Sequence, residues 1–143
     1  MFSIKLLAGK TPRTANAEIL IDKYSEKVEV PLQYWKRERY REQWRGAIAR
    51  IASGHTTACL ITAMYDPRAA NFIMWWPMWR QGERVFIQNQ ILFMDKIRTA
   101  FNEMEPHRSI PARAVVDEDG AKVSEWSVDI KDILDCASRM ARE

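Results

Sequence analysis

The stretch "CLITAMYDPRAANFIMWWPMWRQGERVFIQNQILF", residues 59–93, carries the pattern that decides the fold. Apolar runs of strand length cover residues 56–65, 72–79 and 84–93, and only "DPRAAN" and "RQGE" separate them. Asp-Pro and Gly are typical of turns, so these runs predict an antiparallel meander of three strands with short links. Pro77 lies inside the second run and limits how central the end of that strand can be.

A long amphipathic helix is predicted before the meander, over residues 36–54. Its apolar residues recur with the 3.6-residue period of an α-helix, which places them on one stripe. The stripe consists of Tyr40, Trp44, Ala47, Ile48 and Ile51. Gly54 follows where a C-terminal helix stop belongs.

The flanking segments predict further strands and a second helix. The N-terminal "MFSIKLL" has strand composition, residues 10–18 resemble a loop, and residues 19–30 fit a hairpin or a bent strand. Residues 112–128 predict two strands around the turn "DEDG", because Gly after Asp tolerates a positive φ.

The predicted second helix closes the chain, over residues 129–143. Asp129 is its expected N-cap. Its expected apolar stripe is Ile130, Ile133, Leu134, Ala137 and Met140. Before the hairpin, "DKIRTAFNEME" (residues 95–105) could form a short helix, and the prolines that follow end any regular structure.

These elements predict one α+β domain over residues 1–143. Its core would be an antiparallel β-sheet, with the long central helix and the C-terminal helix packed against it. No apolar run approaches the length of a membrane helix, and we expect neither a signal peptide nor membrane contact. Cys59 and Cys136 lie among apolar neighbours, which favours buried free thiols and a cytoplasmic protein, although sequence alone leaves a disulfide between them open.

Charge is strongly polarised along the chain, although the net charge is only +3. Residues 36–50 contain six basic and two acidic residues, whereas residues 117–135 contain seven acidic and two basic residues. The arginines of the first segment lie off the apolar stripe, so they form first of all the solvated face of a helix. The second segment offers a surface for a cationic partner.

No pattern of catalytic or metal-binding residues is recognisable in this sequence. His55 and His107 are the only histidines, and both are expected in exposed loops. The sequence lacks a phosphate-binding loop, a nucleophile elbow and a zinc-protease motif. We therefore expect a protein that is not an enzyme and that uses no metal and no cofactor.

Four aromatic residues crowd the second predicted strand: Phe72, Trp75, Trp76 and Trp79. In an extended strand, successive side chains point to opposite faces of the sheet. The cluster is therefore either a sheet covered on both faces or a partly exposed patch that contacts a protein or stacks with nucleic-acid bases. The residues alone leave both alternatives open.

Three segments together resemble the immunity proteins of bacterial contact-dependent growth inhibition, the CdiI family. They are "PLQYWKRERYREQWRGAIARIASG" (31–54), "CLITAMYDPRAANFIMWWPMWRQGERVFIQNQILF" (59–93) and "VDEDGAKVSEWSV" (116–128). The resemblance implies a cytoplasmic protein that binds the C-terminal toxin domain of a cognate CdiA protein, often a nuclease, and thereby protects the producing cell. It implies no catalysis. It also favours a core position for the tryptophans of the second strand, with part of the aromatic patch exposed, because a pattern shared by immunity proteins of different specificity is typical of a core.

The acidic hairpin and several tryptophans are the expected toxin contacts. Carboxylates suit the basic cleft of a nuclease, and Trp is enriched among the residues that dominate interface energy. The candidate contacts are Asp117, Glu118, Asp119, Glu125, Trp126, Trp76 and Trp79. The alternative is a nucleic-acid-binding module that uses the basic helix 36–50 with exposed aromatics. The acidic C-terminal region counts against nucleic acid.

Overall fold

The computed structural model describes residues 1–143 and has the predicted α+β class. The strands are β1 Phe2–Leu7, β2 Thr14–Ile21, β3 Tyr24–Pro31, β4 Thr57–Ala63, β5 Phe72–Gln81, β6 Arg84–Gln88, β7 Gln90–Phe93 and β8 Glu125–Asp129. The helices are α1 Arg37–Ala52 and α2 Ile130–Ala141, and two short 3-10 turns cover Met94–Lys96 and Pro106–Ser109.

The strands form two antiparallel sheets instead of the one that the sequence predicted. The N-terminal sheet has the order β1-β2-β3, and the meander sheet has the order β4-β5-β6-β8, with β7 paired to β5. The loop expected over residues 10–18 is wrong from Thr14 onward, since β2 begins there. Ala15 and Ala17 alternate inward with Ile19 and Ile21, but alanine has low strand propensity, so the sequence concealed this alternation.

The meander itself is confirmed, with one interruption. The predicted strand 84–93 is divided into β6 and β7 at Asn89, although both keep the same register against β5. Met94 N donates to Asn71 O. In an antiparallel pair, the backbone groups of alternate residues point to the same neighbouring strand, so the N–H and C=O groups of the odd-numbered residues of β5 point towards β6 and β7. Pro77 has no N–H and lies opposite the interruption, so the missing donor coincides with the break.

Helix α1 forms as predicted and runs along the free edge of β4. All five residues of its predicted stripe are buried. Gln43 Nε2 donates to Cys59 O and its Oε1 accepts from Ile61 N, both at 2.8 Å. Trp44 Nε1 donates to Ile61 O at 2.8 Å, and Arg50 Nε donates to Thr57 O at 2.8 Å. Side chains of α1 thus form the hydrogen bonds with β4 that the backbone of a neighbouring strand would otherwise form.

Tyr40 connects the two sheets through its hydroxyl group. The ring is fully buried, and the hydroxyl donates to Pro31 O of β3 at 2.7 Å. The same oxygen accepts a hydrogen bond from Met64 N, just beyond β4, at 3.0 Å. Burial raises the pKa of Tyr40, so the hydroxyl stays protonated and remains a donor.

Helix α2 begins at its predicted cap, but its buried stripe differs by one residue. The Asp129 carboxylate accepts from Lys131 N at 2.9 Å. Leu134 is 42% exposed, whereas Cys136 is 2% exposed and occupies the stripe with Ile133. The expectation for Leu134 is wrong because the buried face is centred on Ile133 and Met140 with Cys136 at one side, which leaves Leu134 at the exposed margin. Cys136 and Cys59 are buried free thiols, as expected.

The segment between β7 and β8 is largely irregular. The helix considered for residues 95–105 is absent, and only the two 3-10 turns form. The predicted hairpin around "DEDG" is confirmed as a turn, but its first arm is not a strand, since a single bridge joins Val116 and Lys122. The second arm becomes β8, which pairs with β6.

Both faces of the meander sheet are covered. The irregular segment lies over one face, where Trp79 Nε1 donates to Pro111 O at 2.9 Å and the Arg113 guanidinium lies 3.7 Å from the Phe86 ring centroid. On the other face, Tyr24 of β3 stacks on Trp126. One hydrophobic cluster of 30 buried residues extends through both sheets and both helices. No helix is long and apolar enough to cross a membrane.

Replacing Tyr40 by Phe should destabilise the fold by about 2–3 kcal/mol, because Met64 N–H and Pro31 C=O would each lose a hydrogen-bond partner in a water-poor site. Urea denaturation measures this change. The matched control is Tyr34→Phe, whose hydroxyl bonds Glu103 at the surface and should change stability by less than about 0.5 kcal/mol. Equal effects of the two substitutions would show that Tyr40 does not connect the sheets.

Candidate functional site

The acidic hairpin of residues 113–125 stands on a closed hydrogen-bond network. Arg113 donates to both carboxylate oxygens of Glu125, at 2.8 and 2.5 Å. Gln88, which is 1% exposed, donates to Glu125 at 2.7 Å and to Ala114 O at 2.9 Å. The hydrogen bonds from Arg113 lower the pKa of Glu125 below its ordinary value, so the carboxylate stays ionised. Glu125 therefore fixes the base of the hairpin, and its oxygens are occupied within the chain.

The tip of the hairpin presents free negative charge. Asp117 accepts from the backbone N–H groups of Asp119 and Ala121, both at 2.9 Å, so its carboxylate holds the turn. Gly120 has a φ of +81°, which favours glycine at this position. Glu118 and the carboxylate of Asp119 are exposed and have no hydrogen-bond partner in the structure. These two carboxylates are available to a cationic partner.

Two exposed valines accompany the acidic tip. Val115 is 48% and Val116 is 50% exposed, and Val123 N donates to Val115 O at 3.0 Å. The projecting part of the chain thus combines ionised carboxylates with a small apolar surface. That combination suits contact with a protein better than binding of a free ion.

Trp126 lies at the joint between the two sheets. Its ring stacks on Tyr24 with centroids 4.4 Å apart and lies 5.5 Å from Trp76. The hydrogen bond from Tyr24 to Glu26, with burial second, raises the pKa of Tyr24 to about 12. Trp126 is half-buried, so most of its contact surface is already used inside the molecule.

The tryptophans of β5 belong to the core. Trp75 is 0%, Trp76 1% and Trp79 5% exposed. The expectation that part of the aromatic patch is exposed is therefore wrong for the tryptophans, because the irregular segment and the N-terminal sheet cover opposite faces of β5, but it is confirmed for Phe72, which is half-buried. Trp76 and Trp79 consequently offer a partner almost no surface.

The basic face of α1 is also largely committed within the chain. Arg37 donates to Leu7 O at 3.3 Å, and Arg39 donates to Glu103 O at 3.3 Å while its guanidinium lies 4.4 Å from the Trp35 ring centroid. Arg50 bonds β4, as described above, and Arg41 pairs with Glu38 at 2.8 Å. Arg45 is the exposed arginine of α1 that forms none of these bonds. The basic helix and exposed indoles that a nucleic-acid module would need are therefore not presented together.

Both histidines line a cavity between α1 and residues 103–107. The cavity has a volume of about 500 Å³. His55 is exposed as expected, but His107 is half-buried. Burial, and secondly the charge of Arg50, lower the pKa of His107, so its imidazole is neutral at pH 7. No hydrogen bond joins either imidazole to another side chain, and no group of three or more His, Cys, Asp or Glu could hold a metal ion.

The free edge of β7 is a feature that the sequence did not predict. Ile91 and Phe93 are 49% and 44% exposed. Because Met94 N donates to Asn71 O, the backbone groups of Ile91 and Phe93 point away from β5. No residue of the chain forms a hydrogen bond with them. The apolar run Ile91–Phe93 after Asn89 was the one available signal, and it predicts a strand but not an open edge.

Comparison with known proteins places the chain among relatives of one kind. Residues 30–136 match the family model of the CdiI N-terminal domain. The chain is 32% identical over 119 residues to the immunity protein CdiI of Enterobacter cloacae subsp. cloacae, which covers 83% of this chain and 81% of that protein. A chain from the CdiA-CT/CdiI toxin and immunity complex of Enterobacter cloacae matches with a TM-score of 0.85 and 28% identity, over 100% of both chains.

The pairing of Glu125 with Arg113 should make the free energy of unfolding depend on pH. Because the folded pKa of Glu125 is lowered, its contribution is complete above the ordinary value of 4.5 and is lost as pH falls through the lower folded pKa. By urea denaturation, we expect Glu125→Gln to be less stable than the unmodified chain at pH 7, and the difference should shrink as pH falls below the ordinary pKa of 4.5. Glu118→Gln is the control, since that carboxylate is unpaired. A stability difference for Glu125→Gln that does not change with pH would contradict this account.

Proposed function

The chain belongs to the CdiI family, and on that premise we propose that it is an immunity protein that binds and neutralises the C-terminal toxin domain of a cognate CdiA protein. The match to the family model and the likeness to a chain of a toxin and immunity complex support this proposal. The protein acts in the cytoplasm of the producing cell, by binding and not by catalysis. A nuclease toxin suits it best, because a cleft that binds phosphates is basic.

The acidic tip of the hairpin is the proposed point of contact. The observation that carries this assignment is the pair of exposed, unpartnered carboxylates of Glu118 and Asp119 on a rigid base. Val115 and Val116 add apolar surface beside them. Charges at the rim of an interface chiefly accelerate association and select the partner, whereas apolar contacts and hydrogen bonds slow dissociation.

The remaining residues of the candidate set support the contact instead of forming it. Asp117 closes the turn, and Glu125 joins the hairpin to Arg113 and Gln88. Trp126 packs between the sheets. Trp76 and Trp79 lie in the core, so substitutions there would change affinity only through the fold.

Removing the two free charges should weaken toxin binding without changing the fold. We expect Glu118→Gln with Asp119→Asn to reduce affinity for the toxin domain encoded beside this gene by about tenfold or more, mainly through slower association. Surface plasmon resonance at two salt concentrations measures both rates. The unmodified chain should bind at about nanomolar Kd and lose association rate as salt rises.

The matched control removes the same charge elsewhere. Asp135→Asn with Glu143→Gln changes two exposed carboxylates of the C-terminal region and should leave the rates within about twofold of the unmodified chain. Equal effects of the two double variants would mean that only net charge matters and would reject the hairpin tip as the contact. Failure of the unmodified chain to bind would reject the immunity function.

A further inference from the structure

The edges of the two sheets differ in how they are protected against pairing with another strand. The edge of β4 is closed by α1. The edge of β8 presents Glu125 and Asp129, and the edge strand β3 carries three charged residues. Charged residues and covering helices are the usual protection of a strand edge against unwanted pairing. β7 has neither, since Ile91 and Phe93 combine exposed apolar side chains with unpaired backbone groups.

The acidic hairpin is the reason that this edge is open. In the register of β8 against β6, Lys122 would continue to a position opposite Ile91. The chain instead joins the sheet only at Glu125, and the preceding residues Val116 and Lys122 pair with each other in the hairpin. The position beside β7 is therefore not filled by β8, and the base of the hairpin lies at one end of this open position, which we call the slot.

Apolar surface continues from this edge across the neighbouring strand. The ring centroids of Phe93 and Phe72 are 6.2 Å apart, and those of Phe72 and Tyr65 are 5.2 Å apart. Ile91 lies opposite Met74. A strand placed in the slot would set its alternate side chains beside Ile91 and Phe93, and the carboxylates of Glu118 and Asp119 would meet its end at the hairpin.

We propose that the open edge of β7 receives an extended segment of the toxin, which adds to the meander sheet as a further strand. This inference rests on the proposed function. The segment would carry apolar residues at alternate positions, to match Ile91 and Phe93, and a basic residue where it passes the acidic hairpin. Backbone hydrogen bonds to residues 91 and 93 would give affinity, and the side chains would give specificity.

A second copy of this chain fits the same slot less well. In an antiparallel pair with Ile91 opposite Ile91, Met94 of the other copy would lie opposite Gln88, a position beside β6 that Glu125 of β8 already occupies. Two copies could therefore pair only over residues 89–93. A basic segment of a different protein would, in addition, complement the exposed carboxylates of Glu118 and Asp119.

The test removes the backbone N–H of Ile91, which points away from β5. Ile91→Pro removes that donor, and an edge strand accepts proline where the N–H faces solvent. Ile91→Thr is the matched control, since it keeps the N–H and the β-branched shape. We expect proline to weaken toxin binding by about tenfold or more and threonine by about threefold or less, with unchanged melting temperatures relative to each other.

Amide hydrogen exchange provides a measurement that needs no substitution. The amides of Ile91 and Phe93 should exchange rapidly in the free chain and become protected in the toxin complex. Tight toxin binding with both amides unprotected, or with Ile91→Pro equal to Ile91→Thr, would overturn the edge proposal while the immunity function stood. Protection that appears without toxin, together with a doubled mass in solution, would assign the edge to a second copy and would also overturn it. No binding by the unmodified chain would instead reject the proposed function.

Discussion

A helix takes the place of a missing strand, and the arrangement of the whole molecule depends on that substitution. Backbone groups that are removed from water need partners, and the outer edge of β4 is removed from water by α1. Gln43, Trp44 and Arg50 supply those partners from one side of the helix. Tyr40 holds the last residue of β3 against the residue that follows β4. Because α1 is fixed along this edge, its stripe enters the core and its arginines are oriented toward particular carbonyl groups.

This arrangement also explains how charge becomes organised. The sequence separates a basic segment from an acidic one, and in the fold most charged groups of the first have partners within the chain, whereas two carboxylates at the hairpin tip of the second have none. Arg37, Arg39 and Arg50 are bound to backbone carbonyl groups of the chain, so much of the basic segment stabilises structure. The carboxylates of Glu118 and Asp119 have no such partners and project from the surface. A protein with a net charge of +3 can therefore present an acidic contact surface.

Periodicity predicted the faces of the elements but not their edges. The stripe of α1, the meander and the cap at Asp129 follow from local pattern and were correct. The alternation of Ala15 and Ala17 was too weak a signal for β2. The burial of Trp79 depends on a distant irregular segment, and that of Trp76 depends on Trp126 and the N-terminal sheet. Partners such as Arg113 for Glu125 come together only in the fold, so the sequence could not separate carboxylates that are free from those already paired. The unpaired backbone of β7 has no sequence pattern of its own.

The most direct test of the central claim is protection of living cells. The toxin domain encoded beside this gene would be induced in a bacterial host, with and without this chain supplied from a second plasmid, and growth would be followed over time. The account predicts growth arrest with the toxin alone and full recovery with the chain present, while an immunity protein from an unrelated system gives no recovery. Growth arrest that persists when the folded chain is abundant in the cell would contradict it.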